Sequence, residues 1–239
     1  MAKIEVDYIT HSGDDLLVVN SARVSMDKES SYLYLLDDGR KISEEEYMGM
    51  DHLQYTEEVL KDGDVKLLTY LAKHNHWTPF SHPQITLRET VPIFVARQRF
   101  KHMVGFTYNE VSRRYVDSEP EFYVPDSWRA RPEGSIKQGS GGEAPYSNHW
   151  KHSYSLHIAD CKAVYQSMLD TGIAPEQARM VLPQSMMTSY YVTGSLAAFA
   201  RLVKQRKDEH AQKEIQDLAK LIEGHIEPLF PVSWKALMV

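Results

Sequence analysis

Apolar positions along this chain switch repeatedly between the strand period and the helix period. Ile4 to Ile9 alternates as a first strand. Ser12 and Asp15 have the spacing of a capping box ahead of LLVVNSARVS, which predicts a short helix. Asp27 to Gly63, with DDGRKISEEEY, is polar and acidic and reads as an insertion with room for one helix. Asp64 then caps VKLLTYLAKHNH, apolar at helical spacing. Ile85 to Val91 alternates again, with Ile85, Leu87 and Val91 on one face, and Pro92 opens a helix through Gln98 and beyond. Gly105 breaks that helix, and Glu110 to Arg114 follows as a loop or strand start. Glu121 to Pro125, EFYVP, reads as another strand. RPEGSIKQGSGGEAP makes a flexible loop of about residues 129–148. Helices are predicted over His149 to Asp170, ending near Gly172, and over Pro175 to Leu182, stopped by Pro183. Thr188 to Thr193 is rich in strand formers, and Leu196 to Gln205 and Ala211 to Ile226 are helical again. No internal repeat is visible.

Strands and helices mix without a regular βαβ rhythm. The fold class this implies is α+β, helices packed on a mostly antiparallel sheet. The 239 residues suit a single domain over 1–239, carrying the acidic insertion at about 27–63 and the loop at about 129–148. Hydrophobic residues make up 42%, enough for a packed core. The lone cysteine, Cys161, excludes an internal disulfide framework and a multi-cysteine zinc site. The start lacks a signal pattern and no apolar run nears a bilayer's thickness, so a soluble, cytoplasmic protein with no membrane partner is expected. A net charge of −6 argues against nucleic acid as a partner bound along its phosphates.

Within this acidic chain, ARQRFKHMVGFTYNEVSRRYVD (Ala96 to Asp117) is a local basic cluster with aromatics at Phe100, Phe106, Tyr108 and Tyr115. Two arginines beside a serine suit a phosphate, because a guanidinium fork bonds two oxygens at once. A solvated basic face has the same composition. Three further segments carry candidate chemistry. HNHWTPFSH offers His74, His76 and His82, but without a carboxylate partner or helical pairing it reads as a helix end turning into a strand at Pro79. ARMVLP sets Arg179 ahead of an apolar run. RKDEHAQKEIQDLA places Arg206, His210 and Lys213 at helical spacing, which equally describes a surface helix with Asp208 and Glu209 pairing lysines such as Lys213.

Taken together and in this order, HWTPFSH, the run from Arg97 through Tyr115, ARMVLP and RKDEHAQKEIQ resemble the flavin-dependent thymidylate synthases. The resemblance covers Ile4 to the C-terminus apart from the insertion and the glycine-rich loop. It implies reductive methylation of dUMP to dTMP, with methylenetetrahydrofolate giving the carbon and FAD, reduced by NADPH, giving the hydride. It also implies a homotetramer with active sites shared between chains. By the resemblance, Arg206 is the catalytic group that stabilises the pyrimidine anion, replacing a cysteine nucleophile; Cys161 sits in a predicted helix with nothing around it to lower its pKa. Gln98, Lys101, Glu110, Ser112, Arg113, Arg114, Arg179 and Arg206 match the dUMP site. His76, Thr78, Lys101, His102, Glu110, Ser195, Arg201 and His210 match flavin contacts, and no metal is implied. Arg97 has the alternative of holding a carboxylate on its own helix face.

One departure stands out. The family pattern is Arg-His-Arg, seven residues, then Ser. Here it is Lys101-His102-Met103 with the gap to Ser112 one residue longer. An arginine that in the family helps hold flavin is a methionine. Two alternatives follow: the same fold with a hydroxymethylated pyrimidine product or idle NADPH oxidation, and a binder of single-stranded nucleic acid that stacks bases on Phe100, Phe106, Tyr108 and Tyr115.

Overall fold

The computed structural model describes residues 2–50, 55–116, 118–132 and 139–239. Met1, positions 51–54 of the predicted insertion, Asp117 and positions 133–138 of the predicted loop lie outside the described residues. The elements run β1 (Glu5–Ser12), α1 (Asp15–Arg23), β2 (Leu33–Leu36), β3 (Lys41–Ile42), α2 (Glu44–Met48), β4 (Tyr55–Val59), α3 (Asp62–Lys73), β5 (Gln84–Pro92) and α4 (Ile93–Arg99). They continue with β6 (Phe106–Glu110), α5 (Ser147–Asp170), α6 (Pro175–Ala178), β7 (Met187–Ser195), α7 (Leu196–Arg206), α8 (Lys213–Ile226) and α9 (Pro231–Met238). Four strands form a sheet in the order β1-β5-β7-β6, and helices accompany it, an α+β architecture. The chain path gathers into two compact units. The first takes Met1–Ile9, Thr86–Thr193 and Leu202–Glu223; the second takes Thr10–Ile85, Gly194–Arg201 and Gly224–Val239.

In the second unit the cap of α1 is Asp14, whose carboxylate accepts from Leu17 N at 2.8 Å; Ser12 is still strand. The neighbouring Asp15 is buried and accepts from Val232 N at 2.9 Å and Ser233 N at 2.8 Å, satisfying the first amides of α9. Helix α3 begins at Asp62, so Asp64 is not its cap. Asp64 is wholly buried and takes the Nε–H of Arg23 at 2.7 Å. The acidic insertion holds more than one helix: β2 pairs antiparallel with both β3 and β4, and a Ser43–Glu46 capping box starts α2. Val18, Val19, Leu68, Phe80, Phe199, Phe230 and Trp234 are among this unit's buried apolar residues.

In the first unit, β5 buries Leu87, Glu89 and Val91 on one face, as strand alternation requires. EFYVP makes only isolated bridges, Phe122 to Met186 and Tyr123 to Ala2, rather than a strand. Phe122, Ile158 and Met186 pack together with Ile93, Tyr154 and Leu182 around them. The predicted helix from Pro175 is present, α-helical as α6 and then tightening to a 3-10 turn over Arg179–Val181, with Leu182 as its C-cap. Helix α7 stops at Arg206 and α8 starts at Lys213. Arg206, His210 and Lys213 therefore do not share one helix, and Lys213 pairs with Asp217 rather than with Asp208 or Glu209.

Candidate active site

Pro92 starts α4, and the chain then turns through Gly105, whose φ of +81° favours glycine, into β6. This hairpin-like path carries the basic cluster. Arg97 is exposed and Arg99 is wholly buried, two positions on, because they fall on nearly opposite faces of α4. The carboxylate holder of this helix is thus Arg99 and not Arg97. Arg99 Nε lies 3.0 Å from Glu89 Oε2 and its Nη2 3.0 Å from Glu89 Oε1. Its remaining edge, Nη1, donates to the Tyr108 hydroxyl at 2.6 Å. Tyr190 donates its hydroxyl to Glu89 Oε2 at 2.6 Å. Burial acts to lower the basicity of Arg99, but the Glu89 charge and its hydrogen bonds, with Tyr108 and Tyr190, together outweigh it and the guanidinium stays charged. Burial, with the Glu89 charge, pushes the Tyr108 phenol up to about 12, so it serves as a neutral donor.

That donor points to the backbone of His102: Tyr108 Oη to the His102 carbonyl is 2.6 Å. The His102 ring in turn accepts from Arg206 Nε at 2.8 Å. An accepting Nε2 carries no proton, so this imidazole is neutral with its proton on Nδ1. Two segments 104 positions apart, each singled out by its residue types, meet at this contact. Arg206 is half-buried in the last turn of α7, where the helix dipole favours a cation. Close by in the chain, Gln98 Nε2 donates to Gln212 Oε1, and Gln212 Nε2 donates to Glu214 at 2.9 Å.

Ser112 opens a turn closed by Tyr115 N to Ser112 O at 3.0 Å, with Arg113 and Arg114 at its corner. Arg114 Nε reaches the Ser112 hydroxyl at 3.5 Å, and Arg113 bonds the Ser118 carbonyl. Arg88 and Arg113 both line a cavity of about 320 Å³ in this unit. Glu110 accepts from Thr188 Oγ1 at 2.7 Å, and Val111 N bonds Ser189 O, which ties the turn to β7. Lys101 is exposed.

The remaining predicted residues have local surroundings of their own. Arg179 is exposed and its Nε bonds the local Glu176 carbonyl at 3.3 Å. His210 is exposed, 3.2 Å from Asp208. His76, Thr78, Ser195 and Arg201 belong to the second unit. There His76 and Thr78, with Ser21, Ser25, Asn75 and Trp77, line a cavity of about 320 Å³, and Ser195 Oγ caps α7 at Ala198 N. Of the four aromatics in the basic cluster, Phe100, Phe106 and Tyr108 are partly buried; Phe100 and Tyr108 pack on Tyr190, and the Phe106 ring lies under Arg99. Tyr115 alone of the four is exposed, so they form no continuous stacking platform. Glu89, Arg99 and Tyr190 were not singled out in the sequence, and Tyr108 stood out only as an aromatic of the basic cluster. The available signal was an acid, Glu89, in phase with Leu87 and Val91 on a buried strand face, which demands a buried cation.

A second partly buried pair sits nearby: Arg129 Nη2 to Glu214 Oε1 at 2.5 Å. Burial acts to raise the Glu214 carboxyl, and the bonds from Arg129 and Gln212 outweigh it, leaving it below its ordinary value. A lowered carboxylate stabilises the fold above the unfolded-state pKa, and that contribution disappears as pH falls through the folded value. Arg129→Met should therefore cost about 1–3 kcal/mol at neutral pH, discounted for the partial exposure of Arg129. Urea denaturation should show the difference from wild type shrinking towards about pH 4, where unpaired Glu214 is protonated.

Comparison with known proteins adds the following. The family model described as "Thymidylate synthase complementing protein" matches residues 7–232. The flavin-dependent thymidylate synthase of Thermosipho africanus (strain TCF52B) is 35% identical over 176 residues, covering 73% of this chain and 77% of the relative. That of Tropheryma whipplei (strain TW08/27) is 30% identical over 248 residues, covering 100% and 90%. A solved structure, a UMP/dUMP methylase from Streptomyces cacaoi bound with 5-Br dUMP, superposes with a TM-score of 0.78 at 28% identity over 99% of this chain and 95% of that one.

Proposed function

Since the chain belongs to the family of thymidylate synthase complementing proteins, the flavin-dependent thymidylate synthases, and is a methyltransferase enzyme, we propose that it converts dUMP to dTMP with methylenetetrahydrofolate as carbon donor and FAD reduced by NADPH. The observation that carries this reading is the Arg206–His102 contact. Arg206 Nε is committed to His102, which fixes the plane of the guanidinium and leaves its two terminal amino groups as a fork. That fork bonds the pyrimidine at N3 and an adjacent carbonyl oxygen. It stabilises the N3-deprotonated ring, whose charge spreads to C5 and makes that carbon the nucleophile. Gln98 and Lys101 hold the nucleotide on the α4 side. The Ser112–Arg114 turn takes the phosphate, with Arg113, Arg179 and Glu110 completing the substrate contacts.

FAD fits the donor sets present. The second unit's cavity offers hydroxyls, an amide and an imidazole at Ser21, Ser25, Asn75, His76 and Thr78, with the Trp77 ring beside them, a set suited to a dinucleotide's phosphates and planar base. By the family resemblance, Lys101, His102, Glu110, Ser195, Arg201 and His210 are the further residues expected to contact flavin. When bound, the flavin supplies the hydride that completes the methyl group. Four chains assemble into a homotetramer with shared sites, a reading supported by how far apart in sequence the basic residues lie. No helix among the described residues is long and apolar enough to cross a membrane.

A second reading rests on Met103, 73% exposed where the family carries an arginine. It keeps the fold and changes the outcome to a hydroxymethylated nucleotide or to NADPH oxidation without product. One experiment tests both. The purified protein is expected to be yellow, to bleach on NADPH, and to return a methylated nucleotide by mass analysis with one NADPH consumed per product. A hydroxymethyl product replaces the first reading with the second. A colourless protein that takes up no FAD on titration ends both.

A further inference from the structure

The Glu89–Arg99 pair takes no part in the chemistry proposed above, yet it sits directly behind it. Neither side chain has exposed surface. A buried ion pair is poor value as a stability device, since two apolar side chains of similar volume do as well. What an arginine does here that an apolar residue does not is aim three donors in one plane. Nε and Nη2 hold Glu89, and Nη1 holds Tyr108. The Phe106 ring lies 4.4 Å from the guanidinium carbon and keeps the plane from tilting. Tyr190 anchors the far oxygen of Glu89. The Tyr108 hydroxyl has one proton, and with Arg99 Nη1 donating to its oxygen that proton goes to the His102 carbonyl at 2.6 Å rather than to the Arg99 carbonyl at 3.5 Å. His102 follows α4 in an irregular segment, its N–H donating to the Arg99 carbonyl at 3.1 Å, so its backbone is tied to Arg99 through its N–H and, by way of Tyr108, through its carbonyl. Its ring meets Arg206.

We propose that Arg99 is a positioning residue: clamped by Glu89 and Tyr190, it orients Tyr108, which fixes the His102 backbone so that the imidazole meets Arg206 and sets the plane of the catalytic guanidinium. This inference rests on Arg206 acting on the pyrimidine as described in the preceding subsection. Its structural half, the distance from Arg206 to His102, stands independently of that reading.

The decisive variant is Tyr108→Phe, which keeps the ring, the Glu89–Arg99 pair and the surrounding packing. Arg99→Lys is its companion, since one ammonium cannot serve Glu89 and Tyr108 in the same plane. Both are made in the full chain and assayed as the flavin-loaded enzyme. Crystal structures of wild type and Tyr108→Phe supply a readout apart from turnover. In Tyr108→Phe the Arg206–His102 contact is expected to lengthen or be lost, and kcat for dUMP to fall about 10- to 100-fold with KM nearly unchanged, the cost of misplacing a reacting group by about 1 Å. Arg99→Lys should reproduce the kcat effect if it folds. A merely structural role would instead lower the melting temperature while leaving kcat per folded enzyme intact. Tyr108→Phe with the contact in place and kcat within a factor of about two of wild type overturns the proposal. Wild-type protein that leaves dUMP unchanged defeats the proposed function, while the crystallographic distance still decides the positioning claim.

Discussion

Replacing Arg206 by lysine is expected to lower turnover of dUMP by about 10²- to 10³-fold while the protein stays folded and yellow. The reasoning is geometric. The native side chain does two jobs at once: Nε meets His102 at 2.8 Å, and the terminal amino groups project as a planar fork. A lysine ammonium is a point donor. If it approaches His102 it cannot reach the pyrimidine, and if it reaches the pyrimidine it bonds one acceptor and not two. Positive charge is kept, so long-range attraction for the nucleotide phosphate survives, and KM should move less than kcat. Arg206→Ala removes charge and fork together and should be at least as inactive. Steady-state kinetics, with flavin content read from the visible spectrum of each variant, make the comparison. Near-native kcat in Arg206→Lys would mean that the ring is activated by another group.

The segments of the candidate site were legible in the sequence but not their contacts, and the reasons differ by residue. Arg206 and His102 stood out because their segments combine cations, an imidazole and a glycine break inside an acidic chain. Their meeting was not legible, because it joins side chains 104 positions apart and no local pattern encodes such a contact, although the end of α7 itself was read to within one residue. The run from Arg206 to Lys213 keeps helical spacing, yet the chain leaves the helix after Arg206, and His210 goes to Asp208. The choice between Arg97 and Arg99 could not be made from α4 alone. It is made by Glu89 on β5, which in the sequence looks like an interruption of an apolar alternation and in the structure is the partner that pulls Arg99 inward. In the insertion, composition hid the fold: β3 is two residues long and β4 is YTEEV, held to β2 by Tyr55 packing on Tyr34 at 4.8 Å, so no apolar alternation announces these two strands. Asp14 and Asp15 show the limit of capping rules. Both are good cap residues, and which one caps α1 is decided by α9, whose first amides claim Asp15.

The same buried network yields the largest expected change in stability. Glu89→Leu leaves the Arg99 guanidinium in an apolar interior without its counter-charge, and should cost about 3–5 kcal/mol in urea denaturation. Arg99→Met leaves the carboxylate stranded and should cost about as much. Changing both removes the two charges together but leaves the Tyr190 hydroxyl, which had donated to Glu89, without an acceptor; that orphan alone is worth about 1–3 kcal/mol. The informative variant is therefore the triple Glu89→Leu, Arg99→Met, Tyr190→Phe, in which the buried partners are all apolar. It should recover to within about 1–2 kcal/mol of wild type, because the desolvation cost of the ion pair is relieved as its attraction is lost. The triple variant also removes the Arg99 donor that aims the Tyr108 proton at the His102 carbonyl, so stability and kcat should part company: the fold returns and the rate does not. If the triple variant is as unstable as Glu89→Leu, packing volume around β5 and α4 rather than charge pairing governs this core.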